Sequence, residues 1–145
     1  MLYCKVNWAY IYSKYMNSER FYLKISIIGI ASGIILGAFG AHGLKELFSN
    51  YEMDIWNKGI FYQISNFLGL FIMIILKRLE LIEKPPYLLL TVGIIMFSFS
   101  LYTIALNNVF LESHQIIKTF LIPVTPIGGL ILIISWLLLI FKIKI

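Results

Sequence analysis

The sequence predicts an all-α integral membrane protein, built as a bundle of four transmembrane helices. Four uncharged runs indicate this fold, and they cover residues 25–44, 59–76, 85–111 and 119–141. Each run is close to or longer than the roughly 18–20 apolar residues that a spanning helix needs. Composition agrees, because 60% of the residues are hydrophobic and only 13% are charged, a balance unlike that of soluble domains. In a chain of 145 residues, four spans leave no room for a separate soluble domain.

The residues before the first span are predicted to form an N-terminal cytoplasmic extension, 1–20, ahead of a membrane domain at 21–145. They lack the continuous apolar core and the small-residue cleavage site of a secretory signal. Span one is therefore expected to act as its own insertion signal. Met16 is an alternative start of translation to Met1, since a short basic segment leads from it into span one. Cys4 is the single cysteine and cannot form an internal disulfide.

Span one, predicted at about residues 25–43, carries a stripe of small residues. They recur at i, i+4, i+8 and i+12 and therefore share one face of a helix: Gly29, Gly33, Gly37 and Ala41. Small residues let a neighbouring helix come into close van der Waals contact, a main attraction between helices in lipid. Packing of span one inside its own bundle is favoured over a homo-oligomer contact or a substrate path. Leucine at position 33 is expected to disrupt whichever contact exists.

The loop after span one, residues 45–58, has apolar residues at near-helical spacing with charges between them. This pattern predicts an interfacial helix on the outer surface of the membrane. Trp56 and the tyrosines near span ends are interpreted as interfacial anchors. Span two is predicted to follow at about residues 59–76.

Prolines are predicted to begin the last two spans. A proline is tolerated in the first turn of a helix, where its missing N–H has no helical partner. The pair at 85–86 begins span three, at about 86–106, while Pro123 and Pro126 begin span four, at about 124–142. Two residues that would let another backbone approach the outer end of span four follow: Gly128 and Gly129.

Basic residues predict the orientation in the membrane. Nine Lys and Arg residues lie near the spans on the side of both termini and the 77–86 loop, against three on the opposite side. The positive-inside rule therefore predicts that both termini and this loop are cytoplasmic. The net charge of +5 is interpreted as membrane topology and attraction to anionic lipid, and no nucleic-acid partner is predicted.

Polar side chains within or near the spans form a candidate polar cluster close to the outer leaflet: His42, Gln63, Asn66, Ser98, Tyr102 and Thr125. Facing the bundle interior, such groups bridge helices by hydrogen bonds; facing a wet cavity, they would bind a solute. For His42, capping of helix carbonyls or contact with lipid headgroups is favoured over a proton-accepting or ligand role. A lone histidine lacks the second ligand that a metal site requires.

Catalytic chemistry has little support in the sequence. The predicted spans contain no Asp or Glu, and the chain has no Ser-His-Asp spacing, HExxH motif or paired cysteines. No catalytic residue, cofactor or metal site is therefore predicted.

Four short motifs and a tryptophan give the chain a recognisable resemblance. They are Gly-Ala-Phe-Gly-Ala-His-Gly-Leu at 37–44, Tyr-Gln at 62–63, Phe-Ser-Phe-Ser-Leu-Tyr at 97–102, Thr-Pro-Ile-Gly-Gly at 125–129, and Trp136. From about Phe21 to Leu139, their order and spacing resemble the DUF423 family, also called UPF0382 or YgdD-like membrane proteins. The resemblance marks these family-motif positions: Gly40, Gly43, Pro126, Gly128, Gly129 and Trp136. It implies a small four-span protein, in bacteria of the inner membrane, with no established reaction.

Two positions depart from the family pattern. Asn66 stands where the family usually has a histidine, and an asparagine cannot titrate or supply an imidazole nitrogen. A proton relay or metal site shared with His42 would therefore lack half of its groups here. Phe99 replaces the glycine usual between the serines of span three, and it is expected to alter one packing contact.

A non-enzymatic role is favoured, in which the protein helps to organise, stabilise or assemble other components. Its expected partners are the lipid bilayer and either a second copy of itself or another membrane protein. The alternative is a minimal channel or transporter for a small solute, formed by oligomerisation because four short helices enclose little volume. A membrane enzyme ranks third. The transporter hypothesis predicts one wet cavity lined by Gln63, Asn66, Ser98 and His42, whereas the assembly hypothesis predicts conspicuous lipid-facing stripes or a conspicuous 45–58 loop.

Overall fold

Four helices of 24 to 32 residues follow one another along the chain. The computed structural model describes residues 8–110 and 115–144, with the side chains of 8–17, 115–118 and 120 outside that description. The helices are α1 (Trp8–Phe39), α2 (Asn50–Arg78), α3 (Tyr87–Phe110) and α4 (Gln115–Ile140). Stretches long and apolar enough to cross a membrane lie at Ser18–Leu44, Asn50–Arg78, Tyr87–Phe110 and Leu121–Ile140. The prediction of an all-α protein with four spans is confirmed.

Helix α1 begins well before the predicted first span. It runs without interruption from Trp8, so the boundary expected at residue 20 falls inside it, while Cys4 lies outside the described residues. A π-helical segment, Gly40–Leu44, continues α1. Because π turns bond residue i to i+5, they shift the face on which the following residues lie.

The interfacial helix predicted over 45–58 is not a separate element, because α2 already begins at Asn50. Ser49 caps this helix. Its hydroxyl oxygen accepts from the Tyr51 amide at 3.2 Å, and the Glu52 carboxylate accepts from the Ser49 amide at 3.2 Å, which forms a capping box.

Three apolar side chains of this stretch enter the bundle interior, whereas Leu47 and Tyr51 are exposed. Phe48, Ile55 and Trp56 are buried, and Trp56 is only 2% exposed. Its indole N–H donates to the backbone oxygen of Leu36 in α1 at 3.1 Å. The interpretation of Trp56 as an interfacial anchor is therefore wrong.

Helix α4 begins at Gln115, so the prediction that Pro123 and Pro126 begin span four is wrong. A proline inside a helix removes one backbone hydrogen bond and crowds the carbonyl four residues earlier. Membrane helices tolerate this where nearby groups satisfy the freed carbonyls, which here are the carbonyls of Thr119 and Ile122. The proline pair before α3 does precede the helix, as predicted.

The helices pack as antiparallel neighbours in chain order, with α1 against α2, α2 against α3 and α3 against α4. Helices α2 and α3 form the middle of the bundle and bury a larger share of their residues than α1 and α4. Two apolar clusters fill the interior. The first lies towards the α2–α3 loop and contains Phe67, Leu70, Met73, Ile74, Ile82, Tyr87, Leu90, Ile94 and Leu132. The second lies towards the opposite end and contains Leu44, Phe48, Ile55, Trp56, Tyr102 and Ala105.

The loop between α2 and α3 pairs with the segment that follows α4. The Glu83 amide donates to the Lys142 oxygen at 2.8 Å, and the Lys144 amide donates to the Leu81 oxygen at 2.9 Å. Between them, Ile82 is 2% exposed and enters the first apolar cluster. We refer to residues 81–84 and 141–144 as the loop–tail clasp.

Candidate functional site

Gln63 lies where α1, α2 and α3 meet, and it is only 5% exposed. Its amide nitrogen Nε2 donates to the backbone oxygen of Gly29 at 2.8 Å and to Ser32 Oγ at 3.0 Å. Its amide oxygen Oε1 accepts from the Tyr102 hydroxyl at 2.9 Å. One side chain therefore links three helices, with both ends of its amide hydrogen-bonded.

The first two glycines of the α1 stripe make room for α2. A Cβ atom at Gly29 would overlap the ring of Phe67, and one at Gly33 would lie 2.6 Å from Ile64 Cγ1. The same Cβ at position 33 would lie 3.3 Å from Gln63 Nε2. Small residues here thus bring α2 close enough for Gln63 to reach the α1 backbone, and leucine at position 33 would meet Ile64.

The stripe continues to Gly40 rather than to the predicted Ala41. A Cβ atom at Gly37 would make only an ordinary contact, 4.0 Å from Ile60. At Gly40 it would lie 2.6 Å from Trp56 Nε1. Ala41 is exposed, because repeated steps of four residues drift around a helix that has about 3.6 residues per turn.

A second polar bridge links α2 to α4. The Trp136 indole N–H donates to Asn66 Oδ1 at 2.8 Å, and Asn66 Nδ2 donates to the Tyr62 oxygen at 2.8 Å. A Cβ atom at Gly69 would lie 2.5 Å from the Trp136 ring. Because Gly69 has no side chain, the indole ring of Trp136 can pack directly against α2.

A third polar bridge links α3 to α4. Thr125 Oγ1 donates to Ser100 Oγ at 2.8 Å, and Ser100 Oγ donates to the Phe97 oxygen at 2.8 Å. Close by, a Cβ atom at Gly128 would lie 2.7 Å from the backbone nitrogen of Phe97. At Gly129 it would be no nearer than 3.4 Å to the Phe97 ring.

The remaining members of the candidate polar cluster lie outside these bridges. Ser98 is 1% exposed, and its Oγ has no hydrogen-bond partner among the described residues. His42 is exposed within the π-helical segment. Next to it, a Cβ atom at Gly43 would lie 2.8 Å from the ring of Phe39.

The six candidate residues are thus distributed over several helix contacts. Gln63 and Tyr102 are hydrogen-bonded to each other, Asn66 and Thr125 lie in two different bridges, and Ser98 and His42 belong to none. The hydrogen bonds of this arrangement hold neighbouring helices together. Each one stabilises the bundle by well under about 2 kcal/mol. Within the part of the chain that the structure describes, no group of three or more His, Cys, Asp or Glu could hold a metal ion.

Sequence reasoning missed two partners in these bridges. Ser32 stands on α1 one residue before Gly33, and Trp136 was recognised only as a motif position. Both carry a hydrogen-bond donor within an apolar span, which was the available signal. Their pairing with Gln63 and Asn66 depends on the rotation of each helix, which the sequence pattern leaves open.

The structure shows where the two residues that depart from the family pattern, Asn66 and Phe99, lie in the bundle. Asn66 uses one acceptor and one donor, the same pair that a neutral imidazole offers. A histidine at this position could therefore serve the same helix bridge. Phe99 is 65% exposed, so most of its ring lies on the outer surface of α3.

Comparison with known proteins places these motifs in a family. The sequence model described as "Protein of unknown function (DUF423)" matches residues 36–129. The chain is 39% identical over 107 residues to UPF0382 membrane protein SH2409 of Staphylococcus haemolyticus, covering 73% of this chain and 80% of that protein. It is 30% identical over 125 residues to UPF0382 membrane protein YwdK of Bacillus subtilis, covering 83% and 94%.

A third relative is a UPF0382 membrane protein of Staphylococcus epidermidis, 40% identical over 105 residues, which cover 72% of this chain and 79% of the relative. No solved structure matches the chain. The motif at 37–44, the Tyr-Gln pair and the Thr-Pro-Ile-Gly-Gly segment stand at helix contacts of a four-span bundle, and the matched region includes all of them. The resemblance is confirmed: this integral membrane protein belongs to the DUF423 family.

Proposed function

We propose that the protein is a non-enzymatic membrane component that binds and organises other membrane proteins through its lipid-facing helix surfaces. The observation that carries this proposal is the use of three polar side chains at the helix contacts. Gln63, Asn66 and Thr125 each hydrogen-bond across a helix contact. Polar groups that are hydrogen-bonded to a neighbouring helix stabilise a rigid scaffold. They are not free to bind a solute along a path through the bundle.

The outward surfaces of the two flanking helices support the same proposal. Helix α4 exposes large apolar side chains along much of its length, including Leu130, Ile133 and Leu137. Helix α1 likewise exposes Ile28 and Ile35. Helices α1 and α4 have no neighbour on these sides within the described chain, so their faces are free for lipid or for another membrane helix.

A minimal oligomeric channel is the competing proposal. It requires Gln63, Asn66, Ser98 and His42 to meet in one wet cavity. In the described geometry two of them lie in different bridges and His42 is exposed, which favours the scaffold. The uneven distribution of Lys and Arg supports an orientation with both termini in the cytoplasm, and the bacterial membrane-protein relatives support a location in the plasma membrane.

Native mass spectrometry of the full-length protein, extracted from its own membranes in mild detergent at natural abundance, tests the scaffold. A stoichiometric foreign membrane protein is the expected result. A partner-free homo-oligomer that retains a small solute would overturn the proposal in favour of the channel.

Cysteine accessibility separates the two proposals independently. With Cys4 replaced by serine, Gln63→Cys, Asn66→Cys and Ser98→Cys are each exposed to a membrane-impermeant thiol reagent, with Lys45→Cys as the reactive control. The scaffold predicts protection at all three interior positions. Labelling at two or more of them, in protein that keeps its helical content, would indicate a wet cavity.

A further inference from the structure

The loop–tail clasp encloses a surface pocket of about 260 Å³. It lies at the end of the bundle that carries the α2–α3 loop, away from the three polar bridges. The described residues that line it are Glu83, Lys84, Phe141, Lys142, Ile143 and Lys144. None of them takes part in the function proposed above.

The pocket has an excess of positive charge. The carboxylate among its described lining residues is engaged, since Glu83 Oε1 lies 3.3 Å from Lys144 Nζ. Lys84 and Lys142 form no ion pair with any residue that the structure describes. Two ammonium groups are therefore available to an anion in the same pocket.

The backbone around the pocket is held in place. Two hydrogen bonds of 2.8 and 2.9 Å join its two segments, and the buried Ile82 anchors the loop to the core. Glu80 and Lys84 have positive φ angles of 60° and 45°, a conformation that non-glycine residues keep only where the surroundings impose it. The lysines thus extend from a preorganised frame, which lowers the entropic cost of binding.

Exposed apolar side chains stand beside these lysines. Phe141 is 80% exposed and Ile143 is 56% exposed, although both adjoin charged residues at the end of a spanning helix. At a membrane interface, aromatic and apolar side chains enter the boundary between headgroups and acyl chains while nearby lysines reach the phosphates. A soluble anion would use the lysines alone.

We propose that the loop–tail clasp binds the phosphate-bearing headgroup of an anionic phospholipid. Lys84 and Lys142 contact the phosphate, Lys144 is held by Glu83 at the rim, and Phe141 contacts the glycerol and upper acyl region. A lysine near an anionic membrane surface contributes enough attraction for about a fivefold change in affinity. Loss of two lysines is therefore expected to weaken binding about 25-fold.

The test is native mass spectrometry of the full-length protein in mild detergent, titrated with phosphatidylglycerol or with phosphatidylcholine. We expect one phosphatidylglycerol to bind at least fivefold more tightly than phosphatidylcholine. The variant Lys84→Gln/Lys142→Gln is expected to lose this preference. The matched control Lys45→Gln/Lys58→Gln removes the same charge at the opposite end and is expected to keep it.

A variant that gains affinity shows that the loss of binding in the double lysine variant is not caused by misfolding. Glu83→Gln removes the negative charge among the described lining residues and frees Lys144, so it is expected to bind phosphatidylglycerol several-fold more tightly. Unchanged binding in the double variant, or an equal loss in the control, would overturn the proposal. Full competition by an equal concentration of inorganic phosphate, with no effect of Phe141→Ala, would also overturn it, because the site would then bind a soluble anion.

Discussion

The α1–α2 and α3–α4 contacts both depend on glycine, yet they use it in different ways. On α1, Gly29 and Gly33 accept side chains of α2, the ring of Phe67 and the branched end of Ile64. On α4, Gly128 faces the backbone of α3, where the nitrogen of Phe97 lies 2.7 Å from the position of an added Cβ. A side chain can rotate away from a new methyl group, whereas a helix backbone can only move as a whole. The α3–α4 contact is therefore expected to be the less tolerant of the two.

The largest effect is expected from Gly128→Ala. The new methyl group would push α3 and α4 apart, and overpacking of this kind costs about 3 kcal/mol when the neighbours cannot repack. The free energy of unfolding, measured by SDS titration in mixed micelles and followed by helical circular dichroism, checks this. Gly129→Ala is the matched control and should cost little, because its Cβ would make only a close contact with a ring. Equal costs for the two variants would contradict the distinction.

On the α1–α2 side, Gly33→Ala is expected to cost about 1–2 kcal/mol. Ile64 is half-buried and can turn aside, but the move also disturbs the nearby Gln63 amide. Gly37→Ala is the comparison, since its Cβ would lie 4.0 Å from Ile60 and alanine favours the helix by up to about 1 kcal/mol. The same SDS titration should show Gly37→Ala unchanged or stabilised. A cost for Gly33→Ala as large as that for Gly128→Ala would remove the difference between the two contacts.

Hydropathy and periodicity were sufficient to predict the fold and to identify one of the two helix faces in a contact. Four spans follow from runs of apolar residues, and a stripe repeating every four residues identifies a helix face without knowledge of its partner. Local propensity failed at Pro123 and Pro126, because it places proline at a helix start. In the bundle both prolines lie inside α4, on exposed positions.

The polar pairings could not be predicted in the same way. Gln63, Asn66 and Ser98 stand within helices whose rotation and vertical register decide which groups meet. A strict repeat of four residues also drifts around a helix that has about 3.6 residues per turn, so Gly40 and not Ala41 lies in the contact. Such features arise from tertiary packing, and a sequence pattern of single helices does not encode them.

A smaller effect is expected where the α1–α2 side relies on hydrogen bonds. Tyr102→Phe removes the hydroxyl that donates to Gln63 Oε1, leaving a buried acceptor unpaired at a cost of about 1 kcal/mol. Tyr62→Phe is the matched control, because Tyr62 is 41% exposed and its hydroxyl lies outside the bridges. The difference between the two variants in SDS titration should equal the cost of the unpaired amide oxygen. If Tyr62→Phe cost as much, the loss would reflect tyrosine removal in general.

The smallest effect is expected for the hydrogen bond on the α3–α4 side. Ser100→Ala removes the acceptor of Thr125 Oγ1, but the Leu121 oxygen lies 3.3 Å from the same hydroxyl and can accept instead. The expected cost is therefore about 0.5 kcal/mol or less, below the average for hydrogen bonds between membrane helices. A double-mutant cycle with Thr125→Val measures the coupling directly. A small coupling beside a large cost for Gly128→Ala would mean that close backbone packing holds α4, whereas a coupling above the cost of Tyr102→Phe would assign that role to the polar bridge.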